Sequence, residues 1–160
     1  MTARPAATQP LLHDVAYADT DAGGIVYHAR FVEMAERSRN LAMRTLGVPV
    51  AEMKERFGVQ FIVRDVRATF HRPGHVGDVL ALASGIVAAS PARVIWRTAI
   101  SRDGAAICDV EAQIAAFDPA AGGPCLLPAA LMARLDEAPR LPPARRSPMM
   151  KLHDRDGARA

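Results

Sequence analysis

The sequence predicts an α+β domain in which one long helix lies against an antiparallel sheet, and three observations carry that expectation. A single stretch, 29–46, repeats apolar and small residues at helical spacing. Beyond residue 58 the periodicity switches to alternation broken by short turn signals. At 160 residues, half of them hydrophobic and 23% charged, the chain has the composition of one globular core and no room for a second sizeable domain.

The first ten residues, MTARPAATQP, hold two prolines and no apolar run of the kind found in a secretory signal. Residues 1–10 therefore read as a flexible N-terminus and the cytoplasm as the default compartment. Residues 11–18, LLHDVAYA, read as a first strand. In 29–46, Phe31, Met34, Ala35, Ser38, Leu41, Ala42 and Thr45 recur at three- and four-residue steps and form one stripe. Gly47 supplies a left-handed end and Pro49 prevents continuation. A short helical turn is expected over 50–56, and Met34, Met43 and Met53 read as core residues.

In the next segment Val59, Phe61 and Val63 are apolar at odd positions, and Val66, Ala68 and Phe70 at even ones. A bulge at Arg64-Asp65 would put both sets on one face. Pro73-Gly74 turns the chain into a strand over 78–89, apolar on both parities. Strand 93–101 sets Val94, Trp96, Thr98 and Ile100 on one face, and 105–117 does the same with Cys108, Val110, Ala112, Ile114 and Ala116; Arg97, Asp109, Glu111 and Gln113 face away. Between these two strands a three-residue loop, Arg102-Asp103-Gly104, is expected, with Gly104 left-handed. That register pairs Trp96 with Val110, Val94 with Ala112 and Arg97 with Asp109. A helix over 127–137 closes the domain, which spans 11–138. Residues 139–160, opening on Pro139, Pro142 and Pro143, read as a disordered Pro/Arg-rich tail. One helix cannot cover five strands and keep its own far side dry, so a homodimer or homotetramer is expected.

The net charge is +3 and the isoelectric point near 9.3, which raises the question of nucleic acid. The tail alone carries six cationic side chains against two aspartates, so the body is about neutral. No aromatic residue is interleaved for base stacking, and no nucleic-acid partner is expected. The longest apolar run, Val79 to Ala83, is far too short to span a bilayer, so membrane insertion is not expected either. Cys108 and Cys125 read as reduced thiols, Cys108 in the core.

Chemistry concentrates in 17–39, YADTDAGGIVYHARFVEMAERSR. Asp19 and Asp21 precede Gly23-Gly24, and a helix begins just after His28. This places carboxylates beside unpaired helix amides suited to an oxygen gaining negative charge in acyl transfer. The same residues also read as ordinary turn and cap residues. Elsewhere, His71 and His75 are separated by Pro73-Gly74, which no helical metal site tolerates, and no metal or redox cofactor is expected. Arg64, Arg67, His71 and Arg72 are candidates for coenzyme A phosphates, or a solvated strand edge.

The run Tyr17-x-Asp19-Thr20-Asp21-Ala22-Gly23-Gly24-x-Val26-Tyr27-His28, followed by Phe31, Glu36, Arg37 and Arg39, resembles the signature of the hotdog-fold acyl-CoA thioesterases. It is most similar to the 4-hydroxybenzoyl-CoA thioesterase class and its Tol-Pal-associated branch. The resemblance implies a five-stranded antiparallel sheet wrapped around one long central helix, active sites at a dimer interface, and hydrolysis of an acyl-CoA to a carboxylic acid and free CoA. It implies that Asp21 is the catalytic carboxylate, as nucleophile or as general base, and that the backbone N–H of His28 polarises the thioester carbonyl. Gly24, Tyr27, Phe31 and Glu36 would line the substrate pocket, and Arg64 would meet CoA. Glu36 reads equally as a structural partner for Arg37 or Arg39. A hotdog dehydratase and a non-catalytic acyl-CoA-binding or interaction module are the alternatives.

Overall fold

The computed structural model describes residues 9–145. Its elements run β1 (Leu11–Asp14), α1 (His28–Thr45), α2 (Met53–Phe57), β2 (Gln60–Phe70), β3 (Val79–Ser90), β4 (Arg93–Arg102), β5 (Ala105–Asp118), β6 (Gly123–Cys125) and α3 (Ala129–Asp136). The strands form one antiparallel sheet in the order β1-β3-β4-β5-β2, with β6 paired to the end of β5. Helix α1 lies across the inner face. Its stripe buries Phe31, Met34, Ala35, Ser38 and Ala42, and it stops where the sequence places a helix end. Gly47 at φ +71° allows Val48 N–H to reach Met43 O (3.0 Å) and Gly47 N–H to reach Arg44 O (2.9 Å), a Schellman closure.

Two apolar clusters flank the middle of α1. One joins Phe31, Met34 and Ala35 to Leu80, Leu82, Ile100, Ile107, Cys108 and Val110. The other joins Ala42 and Met43 to Ile86, Val94, Trp96 and Ile114 under α3. Between them runs a buried hydroxyl seam. Ser38 donates to Leu82 O (3.2 Å), Ser84 donates to Ser38 Oγ (2.8 Å), and Thr98 Oγ1 lies 2.7 Å from Ser84 Oγ. Buried hydroxyls must be satisfied locally, so the seam fixes where the helix sits along the sheet.

The expected bulge in β2 is present: Val63 pairs with Ile114 and Asp65 with Gln113, leaving Arg64 as the extra residue, and Val63 and Val66 share the inner face. Four expectations are corrected. The first strand ends at Asp14, because Val15 N–H turns to Asp78 O and a 3-10 turn follows at Tyr17–Asp19. A sixth strand, β6, exists because the Asp118 carboxylate caps the amides of Ala120 and Ala121 and Gly122 takes φ +69°, folding a hairpin.

The β4–β5 link is a two-residue turn, Asp103-Gly104, both left-handed (φ +50° and +79°), with Arg102 opposite Ala105. A bulge at Ile107 then restores parity, so Trp96 faces Ala112 and Arg97 faces Glu111. The compensation the loop was expected to supply comes from the bulge instead.

The described chain does not leave the domain at 138. Ile86 N–H donates to Pro139 O (2.8 Å) and Leu141 N–H to Ile86 O (3.1 Å), extending the open edge of β3. The chain then crosses the outer face, where Arg97 donates to Pro142 O (2.8 Å) and Ala144 N–H to the Glu111 carboxylate (2.7 Å). Proline cannot donate but still offers a carbonyl, which is how a proline-rich strap holds to a sheet. The rest of the expected tail, 146–160, lies outside the described residues.

Candidate functional site

The segment feeding α1 is a tight hairpin. Thr20 bridges Val26, Asp21 N–H donates to Ile25 O (2.9 Å), and Gly24, at φ +76°, donates its N–H to Asp21 O (3.0 Å). A second loop braces it: Val26 N–H bonds Gly74 O (2.9 Å) and Ile25 bridges His75.

The two aspartates have different surroundings. Asp19 is buried, and both its oxygens are occupied. Oδ1 accepts from Arg30 Nε (3.0 Å) and Nη2 (2.6 Å), and Oδ2 accepts from Ala16 N–H (2.9 Å) and lies 2.9 Å from His13 Nε2. Burial acts to raise its pKa, but the Ala16 amide and the Arg30 and His13 side chains outweigh it and hold the carboxyl at about 2. Its own carbonyl accepts Tyr27 N–H (2.9 Å). Asp19 therefore ties the first strand, the hairpin and the start of α1 together. Asp21 is exposed; Oδ1 accepts only Gly23 N–H (2.7 Å), and Oδ2 has no partner among the described residues.

Tyr27 is the N-cap of α1 and makes no side-chain cap; Arg30 N–H turns back to Tyr27 O (2.9 Å), whereas the His28 and Ala29 amides have no acceptor among the described residues. The His28 ring is exposed and tilts against Tyr27, with centroids 4.4 Å apart. Asp21, Gly24, Tyr27 and His28 thus share the hairpin and the helix start. Phe31 does not line an open cavity among those described: it is buried in the core, 5.8 Å from the Phe70 ring. Arg64 stands exposed at the β2 bulge, beyond α1, and Glu33 is paired with Arg30. His71 is engaged by Asp109 (2.9 Å), which also takes Arg97, and Arg72 donates to Ala106 O.

Glu36 is exposed and borders a cavity of about 210 Å³ between α1 and the β2 side of the sheet. Val32, Ala35, Glu36 and Arg39 supply its helical wall, and Val63, Val66, Trp96, Thr98, Val110 and Ala112 the rest. Neither Arg39 nor Trp96 stood out in the sequence as a cavity residue. The available signal was the step 32, 35, 36, 39 from the helix start, which carries an arginine beside the core stripe.

Residues 15–135 match the family model described as Thioesterase-like superfamily. Among curated proteins, the chain is 29% identical over 125 residues to "Acyl-CoA thioester hydrolase YbgC" of Escherichia coli, covering 77% of this chain and 92% of that one. It is 27% identical over 104 residues to "Acyl-CoA thioesterase YbgC" of Haemophilus influenzae, covering 65% and 76%. Among solved structures, a 1,4-dihydroxy-2-naphthoyl-CoA thioesterase from Synechocystis superposes with a TM-score of 0.72 at 18% identity, over 80% of this chain and 95% of that one, a likeness of fold.

Proposed function

The chain belongs to the thioesterase-like superfamily and has its hotdog fold, and from that premise we propose that it hydrolyses acyl-CoA thioesters to a carboxylic acid and free CoA at the hairpin that opens α1. It is an acyl-CoA thioesterase. Asp21 is the acting carboxylate. The observation that supports this choice is the asymmetry of the pair: Asp19 has both oxygens occupied and is buried, whereas Asp21 is exposed with one oxygen oriented by Gly23 N–H and the other without a partner among the described residues.

The thioester carbonyl oxygen accepts from the unpaired amides at the helix start, led by His28 N–H, where the helix dipole also favours growing negative charge. By one route an Asp21 oxygen attacks the carbonyl carbon, the C–S bond breaks, CoA leaves as thiolate, and water hydrolyses the mixed anhydride. By the other, Asp21 takes a proton from water as the water oxygen adds to the carbon; the tetrahedral intermediate then collapses, the C–S bond breaks, and CoA leaves as thiolate and takes up the proton that Asp21 held. The density of the match over 17–39 supports placement in the 4-hydroxybenzoyl-CoA class and its Tol-Pal-associated branch. A homodimer or homotetramer would complete the open side of the sheet.

Asp21→Asn tests the assignment. Turnover of the best acyl-CoA should fall by roughly 10² to 10⁴, with binding of a non-hydrolysable analogue retained and residual catalysis from the helix amides. Oxygen-18 from solvent appearing in Asp21 after a single turnover would identify the nucleophilic route. A folded variant that hydrolyses within a few-fold of the parent removes Asp21 from the mechanism.

A further inference from the structure

The cavity beside α1 contains an electrostatic vacancy. Arg39 is 9% exposed and makes no hydrogen bond or ion pair among the described residues. Trp96 is 1% exposed; its indole N–H has no acceptor among the described residues and no surface open to a ligand, so the ring serves only as wall. Both line the same 210 Å³ space, otherwise walled by Val32, Ala35, Val63, Val66, Val110, Ala112 and the aliphatic side of Thr98, whose hydroxyl is taken by the seam. A guanidinium nine-tenths buried with no carboxylate partner is costly in a largely apolar wall, and native proteins almost always pair such groups. Glu36, also in the cavity lining, is the carboxylate whose charge acts on Arg39. It is exposed, forms no ion pair with Arg39, and only partly offsets the burial that pulls the guanidinium below its usual pKa.

The cavity's place on the helix indicates what fills it. Val32, Ala35, Glu36 and Arg39 make one continuous stripe, and Arg39 lies eleven residues, about 16 Å of helix, beyond His28. Helical side chains lean toward the N-terminus, which brings the guanidinium back along the same wall. An acyl group held by its carbonyl at the helix start and running along this stripe ends at the guanidinium. A carboxylate is the complement, since its two oxygens accept a guanidinium fork.

Resting on the thioesterase reading, we propose that Arg39 forms a specificity subsite for acyl-CoA substrates whose acyl group carries a carboxylate at its far end.

The test compares kcat/KM for adipoyl-CoA and suberoyl-CoA against hexanoyl-CoA and octanoyl-CoA, in the parent and in Arg39→Met. The parent should prefer the carboxylated member of a pair by roughly 10- to 100-fold, the value of a charged hydrogen bond in a buried site. Arg39→Met should erase the preference. Arg39→Met removes an unpartnered buried charge, so it should melt no lower than the parent; Arg39→Lys, which keeps charge but loses the fork, serves if it does not fold. A parent that hydrolyses both classes equally, or a preference that survives in Arg39→Met, overturns the subsite and leaves the thioesterase intact. If no thioester is hydrolysed, the thioesterase reading fails, and the subsite is judged by adipate alone. A melting shift with adipate in the parent that is absent in Arg39→Met upholds it, and no shift in the parent overturns it.

Discussion

Asp19 and Asp21 show what a single carboxylate's surroundings decide. In the sequence both are short acids beside glycine, and pattern alone does not separate them; the resemblance singled out the second. The structure separates them by partners. Asp19 accepts from Arg30, His13 and Ala16, contacts set by three segments that no local spacing brings together. Asp19→Asn should therefore cost about 3 kcal/mol in urea unfolding, because it leaves a cation without its buried partner, and reduce activity only through loss of folded protein. The same carboxyl links stability to acid. Its folded pKa, about 2, lies below its ordinary 3.8, so its contribution is complete above about pH 4 and is lost as pH falls toward 2. That contribution is about 2 kcal/mol. The parent's stability should drop across this window, and the drop should be smaller in Asp19→Asn by that amount.

At the scale of elements, periodicity made α1 and the four long strands legible, because burial on one face dictates it. What periodicity cannot show is where an odd residue is absorbed. The alternations of β4 and β5 require an even register; the sequence reading put the extra residue in the turn, whereas Asp103-Gly104 closes tightly and Ile107 bulges. The strap was hidden for a different reason. Its prolines signal a break in regular structure, yet carbonyl acceptance by Pro139 and Pro142 needs no regular structure. Gly85 records the close approach, since a Cβ there would meet Pro139 O at 2.6 Å. A chain ending at 138 should be less stable than one ending at 145 by about 2 to 4 kcal/mol, from the lost cover of Leu141 and the freed Ile86 amide. Equal urea midpoints for the two would mean the strap only rests on the sheet.

At the scale of the molecule, the open side of the sheet is the largest unresolved energetic fact. Among the described residues strand β2 pairs with β5 alone, so its other edge presents backbone donors and acceptors. Its inner face leaves Val63 46%, Val66 40% and Phe70 50% exposed where α1 no longer covers it. Val63 and Val66 also line the cavity that holds Arg39, so whatever covers the strand there also closes the proposed acyl subsite. A second copy of the chain meets both needs, pairing the edge and burying the apolar row. The parent should sediment as a dimer or tetramer at micromolar concentration. Replacing Val63 and Val66 together with lysine should shift it toward monomer, since two desolvated charges oppose association at the row's centre. The fold itself should survive, because both side chains already reach solvent. Turnover should fall with the assembly and recover partly at higher protein concentration, which a direct loss of a catalytic group would not do. A parent that remains a 17.2 kDa monomer with full activity would show that one copy suffices and that the exposed row serves another purpose.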